Sequence, residues 1–394
     1  MTAPTLTFAD VFSGCGGLTW GFSRHPAFKP LLAVDWWTAA EKVFTHNYPG
    51  LRFERHDLHD LSAVAAVAEA LSGRCDVLLG GPPCQGFSTL GKRRDGDRRS
   101  ALVDAFLDVA NRVKPAVVVM ENVRGISSKM RDPGGMTFME FARRSLADGG
   151  KDPGYDVECV LLHALDYGLA QTRQRWFLIG VRQDVSAGGA VLRRILDGLA
   201  RSRSPKRRVL RDVIADLPQI EAGEGEEVAW VRAGSRRRAV FNHRAMNHSE
   251  RLVKAFATVP VDGGLLDVPR EMLTPHLHRM VDGKYGNGGH IKNIYGRLNW
   301  TKPSGTVVAG IDKITCGRFV HPEADRLLTP RECARLQSFS DDFRFFGSLV
   351  TQYYLIGNAV PPRFSEILAN AISKAIEAKP RRLRQDAAVE WNAA

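Results

Sequence analysis

The fold turns on Asp76-Val77-Leu78-Leu79-Gly80-Gly81-Pro82-Pro83-Cys84-Gln85-Gly86. Val77 to Gly80 is a short continuous apolar run, as expected of a strand buried on both faces, and the glycines and prolines after it impose a tight turn. A cysteine therefore sits on a loop at the carboxyl end of a parallel strand, where open α/β sheets gather their chemistry. The two prolines keep the approach to it out of helix. That arrangement suits a presented nucleophile. A lone cysteine is also commonly a small core hydrophobe, and these residues alone leave both readings open.

Strand and helix alternate on either side of this stretch. Strands are expected at Leu6 to Phe12, Leu31 to Asp35, Phe53 to His56, Ala116 to Glu121, Tyr155 to Leu162 and Trp176 to Val181. Helices are expected at Thr38 to His46, Ser62 to Leu71 and Leu102 to Val113. Such alternation predicts an α/β fold with a doubly wound, mostly parallel sheet over residues 1–185. From 186 to 328 Gly, Arg and Glu dominate and strands become short, which predicts a smaller, irregular second domain. A hinge is expected over 329–356. From 357 the apolar residues Phe364, Ile367, Leu368, Ile372 and Ile376 recur at helical spacing, so the chain is expected to return to the first domain as an amphipathic helix, followed by a polar tail.

The 394-residue chain is 44% apolar and 25% charged, a globular rather than disordered balance. Its formal net charge of +12 is clustered, at Lys92-Arg93-Arg94, Arg201 to Arg211, Arg236-Arg237-Arg238 and Arg381 to Arg384. For the central clusters a polyanionic partner is the simplest explanation, and for the last a solvated tail. The six cysteines, at 15, 75, 84, 159, 316 and 333, lack paired spacing, so a reducing compartment is expected and a disulfide framework is not. No apolar stretch approaches bilayer length and Met1-Thr2-Ala3-Pro4 does not open a secretory signal, so a cytoplasmic, nucleoid-associated location without a membrane partner is expected. His276 with His278, and Cys159 with His163, lack a second ligand pair at finger spacing, and no metal is expected.

Six further blocks carry chemistry. Asp10-Val11-Phe12-Ser13-Gly14-Cys15-Gly16-Gly17 ends the first strand in a turn whose glycines permit close approach to a ligand. Asp35, followed by Trp36, ends the second strand. A carboxylate there suits a ribose diol and an indole suits an adenine face. Asp57 ends the third. Glu121-Asn122-Val123 ends the fifth, Gln171-Thr172-Arg173-Gln174-Arg175 precedes the last, and Gly357-Asn358-Ala359-Val360-Pro361-Pro362 opens the carboxyl-terminal helix.

With Arg331-Glu332-Cys333-Ala334-Arg335-Leu336-Gln337-Ser338-Phe339, these blocks in this order resemble the C5-cytosine DNA methyltransferases, especially the stand-alone bacterial enzymes of restriction–modification systems. The resemblance runs from Phe8 to about Ile376. Asp35 stands where that family more often has Glu, and Cys15 lies inside the glycine turn. The resemblance implies a Rossmann-like class I methyltransferase fold with a target-recognition domain and S-adenosylmethionine as donor. It places the donor against Phe12, Gly14, Gly16, Gly17, Asp35, Trp36, Asp57, Pro82, Leu102 and Asn358. Catalysis is expected from Cys84 as nucleophile toward C6 of cytosine, Glu121 as the acid at N3, and Arg173 and Arg175 holding the base O2 and nearby backbone.

The implied substrate is double-stranded DNA, whose target base must be flipped out of the stack. Gln85, Ser88, Lys92, Arg93 and Arg94 are expected to close over it, and Arg236, Arg237 and Arg238 to add basic surface. His290, after Gly286–Gly289, either fills the vacated stack, or touches a phosphate or packs in the domain. A monomer is expected, with a cognate restriction endonuclease or defence-operon proteins as partners. Three rivals remain. A tRNA methyltransferase of the same family would usually carry Cys-Phe-Thr in the recognition region, and this chain has none. A non-catalytic DNA-binding relative would not need Cys84 and Glu121 intact, and a Rossmann oxidoreductase would more often show Gly-x-Gly-x-x-Gly in the first turn.

Overall fold

The computed structural model describes residues 5–83, 101–128, 135–148, 153–233, 236–283 and 291–377. Seven strands form one sheet: β1 (Leu6–Val11), β2 (Phe28–Asp35), β3 (Phe53–Arg55), β4 (Val77–Gly80), β5 (Val117–Val123), β6 (Tyr155–His163) and β7 (Gln174–Arg182). Their order is β3-β2-β1-β4-β5-β7-β6. β1 to β5 pair in parallel, and β7 runs antiparallel to both β5 and β6. Strand order reverses between β1 and β4, so the carboxyl ends of those two strands flank the crevice where such sheets bind ligands. The strands expected from the apolar runs all form, with ends within three residues of the expected ones.

Helices cover both faces: α1 (Thr19–Arg24), α2 (Thr38–Asn47), α3 (Leu61–Leu71), α4 (Ala101–Val113), α5 (Phe138–Asp148), α6 (Gln183–Ser186) and α7 (Ala190–Arg201). One face of β5 presents Val118 and Met120 to a core with Val64, Val67, Phe106 and Val109 of α3 and α4. The other presents Val117 and Val119 to a core closed by Phe22 of α1, Ile195 of α7, and Phe364, Leu368 and Ile372 of α13 (Pro362–Glu377). The amphipathic helix thus returns to the first domain as its spacing predicts. Two glycines let this happen. A Cβ on Gly17 would stand 2.2 Å from the Val360 carbonyl oxygen, and one on Gly21 2.3 Å from the Glu366 nitrogen.

The sequence reading starts the second domain at 186. The structure instead packs α7 against α13 under the sheet, because Val191, Leu192, Ile195 and Leu199 give it an apolar stripe. Beyond α7 the chain forms α8 (Arg211–Ile214), a hairpin of β8 (Gly225–Ala233) and β9 (Arg236–Arg244), α9 (Glu250–Thr258) and α10 (Pro275–Val281). The hairpin strands are nine residues each, longer than expected for this region. The expected hinge contributes α11 (Pro330–Leu336), opened by a Thr329–Glu332 capping box, and α12 (Leu349–Asn358). It shares one core with the second domain and α2, since Phe44, Leu210, Phe256, Val307, Phe339 and Tyr353 all belong to it. Among the described residues no helix is long and apolar enough to cross a membrane.

Candidate active site

The carboxyl ends of β1, β2, β4 and β5 and the entry to β7 build the site. At the end of β4, Gly80 is required because a Cβ would meet the Phe106 ring at 2.4 Å and the Val11 carbonyl oxygen at 2.6 Å. Gly81 and Pro82 then turn across the end of β5. A Cβ on Gly81 would lie 3.4 Å from Glu121 Oε2, and Asn122 Nδ2 donates to the Pro82 carbonyl at 3.3 Å. Asn122 had no separate role in the sequence reading. Its signal was its place beside Glu121, and its function here is to fix the turn that leads to residue 84. Cys84, Gln85, Ser88, Lys92, Arg93, Arg94 and His290 lie outside the described residues.

Glu121 is 8% exposed. Arg175 Nε meets its Oε1 at 2.9 Å. Burial raises the Glu121 pKa above the ordinary carboxyl value, while the charges of Arg175 and Arg173 and the Arg175 hydrogen bond oppose that rise. The result is a carboxyl that can hold a proton yet is kept in one orientation.

Arg173 differs from the role the sequence assigned it. It is 1% exposed, and its terminal nitrogens donate to three carbonyls: Val307 (2.9 Å), Gly357 (3.3 Å) and Ala359 (2.9 Å). Its Nε is buried without a partner. Burial and the Arg175 charge depress its pKa well below the usual guanidinium range. These donors are committed to backbone, so they are not directed at a base.

Beside β1 and β2, Phe12, Asp35, Trp36, Asp57 and Leu102 line a hollow of about 130 Å³ together with His56, Leu58 and His59, which the sequence reading did not single out. The hollow opens to solvent beside an indole, which suits the face of a flat ring system. Trp36 is 62% exposed and offers its indole to that space. Phe12 adopts φ +66°, a strained value for an aromatic residue that the glycine turn imposes.

Asp35 Oδ2 accepts from the Gly14 amide at 2.9 Å and Oδ1 from the Trp37 amide at 3.0 Å. Each oxygen keeps a lone pair for a ligand hydroxyl. Burial raises its pKa. Asp57 is held down by the His59 amide. Of the three turn glycines assigned to ligand contact, only Gly14 (φ +54°) has open space at its Cβ position. Gly16 (φ +92°) clears the Tyr48 ring and Gly17 clears Val360, so their requirement is internal packing. Beneath the turn Asp10 is 1% exposed, accepts from Thr19 Oγ1 at 2.6 Å, and is pushed up to about 7 by burial. Pro82 is buried; Asn358 is exposed at the end of α12.

The hairpin carries the basic cluster. Its register sets Arg232 opposite Arg237, Trp230 opposite Ala239 and Val228 opposite Phe241 on one face. Trp230 is 53% exposed with the Arg237 guanidinium 5.5 Å from its ring centre. Arg238 lies on the other face and ion-pairs with Asp341 at 2.6 Å. The three consecutive arginines therefore do not act as one patch.

A family model for C-5 cytosine-specific DNA methylases matches residues 6–374. The chain is 32% identical to the type II methyltransferase M.DdeI of Desulfomicrobium norvegicum, over 93% of this chain and 88% of that one. It is also 32% identical to M1.HphI of Haemophilus parahaemolyticus, over 94% and 87%. An E. coli prophage-encoded protein described as a DNA modification methyltransferase shares the fold, with a TM-score of 0.65, 23% identity, and coverage of 94% of this chain and 98% of that one. So does the S. pombe Dnmt2 methyltransferase, at 0.58, 15%, 94% and 98%. The chain belongs to the C-5 cytosine-specific DNA methylase family and is a DNA (cytosine-5)-methyltransferase.

Proposed function

We propose that this enzyme methylates C5 of a flipped-out cytosine within a specific duplex sequence, with S-adenosylmethionine as donor and Cys84 as the covalent nucleophile. The observation that carries this is the buried Glu121, oriented by Arg175 and facing the Gly81–Pro82 turn one residue short of Pro83-Cys84.

The Cys84 thiolate adds to C6, forming the S–C6 bond. Electron density moves toward N3, where Glu121 donates a proton or strong hydrogen bond, leaving C5 nucleophilic. Arg175, which also donates to the Gln174 carbonyl at 2.8 Å, holds the base O2 in this reading. Phe12, Gly14, Asp35, Trp36, Asp57, Leu102 and Asn358 hold the donor, with Asp35 on the ribose and Trp36 on the adenine. When bound, that donor supplies an electrophilic sulfonium methyl to C5 and departs as a neutral thioether. Loss of the C5 proton then expels Cys84 and restores the aromatic ring.

Residues from about 202 to 328 form the recognition domain, with the exposed face of the hairpin contributing Arg232 and Arg237 toward phosphates. The relatives named as type II methyltransferases, M.DdeI and M1.HphI, support pairing with a cognate endonuclease.

Duplex carrying 5-fluorocytosine at the target should trap a covalent complex with wild type and none with Cys84→Ser, because fluoride cannot leave as a proton does. Bisulfite sequencing of host DNA should return the modified context. No trapped complex with wild type on DNA that the enzyme methylates would sink the covalent route.

A further inference from the structure

A buried guanidinium without a carboxylate partner is costly to desolvate, and carbonyl hydrogen bonds only partly offset that cost. Arg173 accepts that cost at a junction of three segments. It leads into β7, two residues before Arg175, which holds Glu121. Its three carbonyl partners belong to the chain returning from the recognition domain (Val307) and to the turn on either side of Asn358 (Gly357, Ala359).

Two glutamines complete the knot. Gln171 Oε1 accepts from the Val307 amide at 3.3 Å, while its Nε2 donates to the Leu336 carbonyl and to Gln337 Oε1, both at 2.7 Å. Gln337 Nε2 donates to the Ile356 and Ala359 carbonyls at 2.8 and 3.3 Å. Gly357 packs with no side chain against the backbone of Val308 and Ala309; a Cβ would stand 2.2 Å away. The knot therefore joins the base-side acid, the recognition domain and the donor-side turn through side-chain-to-backbone bonds.

We propose that Arg173 is a positioning residue: it sets the separation between the donor methyl and C5 by tying the Asn358 turn to the Glu121–Arg175 pair, without touching either substrate. This rests on the reading of the Asn358 turn as a donor contact. Methyl transfer needs a near-attack separation, and a displacement of about 1 Å costs on the order of a hundredfold in rate. Lysine keeps the charge but reaches one carbonyl as a point donor, where the planar fork reaches three.

The test uses the full chain with Arg173→Lys, S-adenosylmethionine and a cognate duplex. Affinity for each is measured alone, followed by single-turnover methyl transfer from the assembled ternary complex. The expected result is a cooperative thermal melt, both dissociation constants within about threefold of wild type, and a transfer rate down by roughly ten- to a hundredfold. The pH–rate profile should keep its shape, because Arg175, the direct partner of Glu121, is untouched. Where the lysine variant does not melt cooperatively, Gln337→Met carries the same test, since it removes the donor to Ile356 and Ala359 from outside the charge cluster. A wild-type transfer rate, or a rate loss matched by equal losses in both affinities, overturns the proposal. Asn358→Ala with unchanged donor affinity would instead remove the donor assignment on which it rests.

Discussion

At the scale of single residues, Glu121 and Arg173 show how similar surroundings produce different work. Both are buried and both feel Arg175. Glu121 keeps one oxygen toward the Gly81 turn, whereas Arg173 spends its terminal donors on backbone. Glu121→Gln should lower single-turnover transfer by about a hundred- to ten-thousandfold while DNA affinity stays close to wild type, because glutamine donates a hydrogen bond but no proton. The carboxyl must be protonated to act, and its pKa is raised, so the wild-type rate should fall as pH rises through that value. An alkaline limb that persists in the glutamine variant would assign the limb to another group. The positions of Glu121 and Asp35 were legible in the sequence because each lies at the end of a recognisable strand. The fate of Arg173 was not. β7 begins at Gln174, so the alternation that would pair Arg173 with Arg175 on one face does not extend back to it.

At the scale of elements, the sheet was readable because its central strands β1, β4 and β5 are largely buried apolar runs. α1 and α5 were not, being six residues long in one case and broken by the polar residues Glu140, Arg143 and Arg144 in the other. The hairpin carried a weak alternating signal, Val228 and Trp230 outward with Val231 inward, that its glutamates and arginines obscured. Its register now divides the arginines. Arg232→Ala with Arg237→Ala should reduce the salt dependence of DNA binding by about two in log–log slope. Arg238→Ala should leave that slope nearly unchanged, since Arg238 already serves Asp341. Equal slopes for wild type and the double variant would take this face off the DNA. At the other end of the chain, Gly21→Ala forces a backbone clash between α1 and α13, and a loss of about 1–3 kcal/mol in denaturant unfolding is expected, as for overpacking elsewhere.

Across the whole molecule, stability should be sensitive to mild acid. His321 is 2% exposed, and its Nδ1 accepts from the Glu323 and Ala324 amides, which suits a neutral ring. Burial lowers its pKa from 6.5 to about 4. The unfolded chain therefore takes up the proton first. Stability is complete above about 6.5 and declines as pH falls toward 4, by on the order of 3 kcal/mol at most. Glu332, paired with Arg326 at 2.8 Å and lowered to about 2 despite burial, adds a second loss between about 4.5 and 2. Urea midpoints measured from pH 7 to 4 should fall in wild type and fall less steeply in His321→Gln, where buried His243 and His248 still contribute; a wild-type midpoint that stays level would refute this.

The return of α13 to α1 has a consequence for synthesis. Residues 6–28 and 360–376 share one core, although more than three hundred residues of chain separate them. A ribosome that has translated as far as residue 359 has made every strand of the sheet, yet one face of that sheet still lacks Phe364, Leu368 and Ile372. The nascent chain therefore carries an apolar surface until its closing helix clears the exit tunnel. Because Gly17 and Gly21 pack on the backbone of Val360 and Glu366, the segment that follows the glycine turn of β1 finds its last contacts only after translation has passed α13.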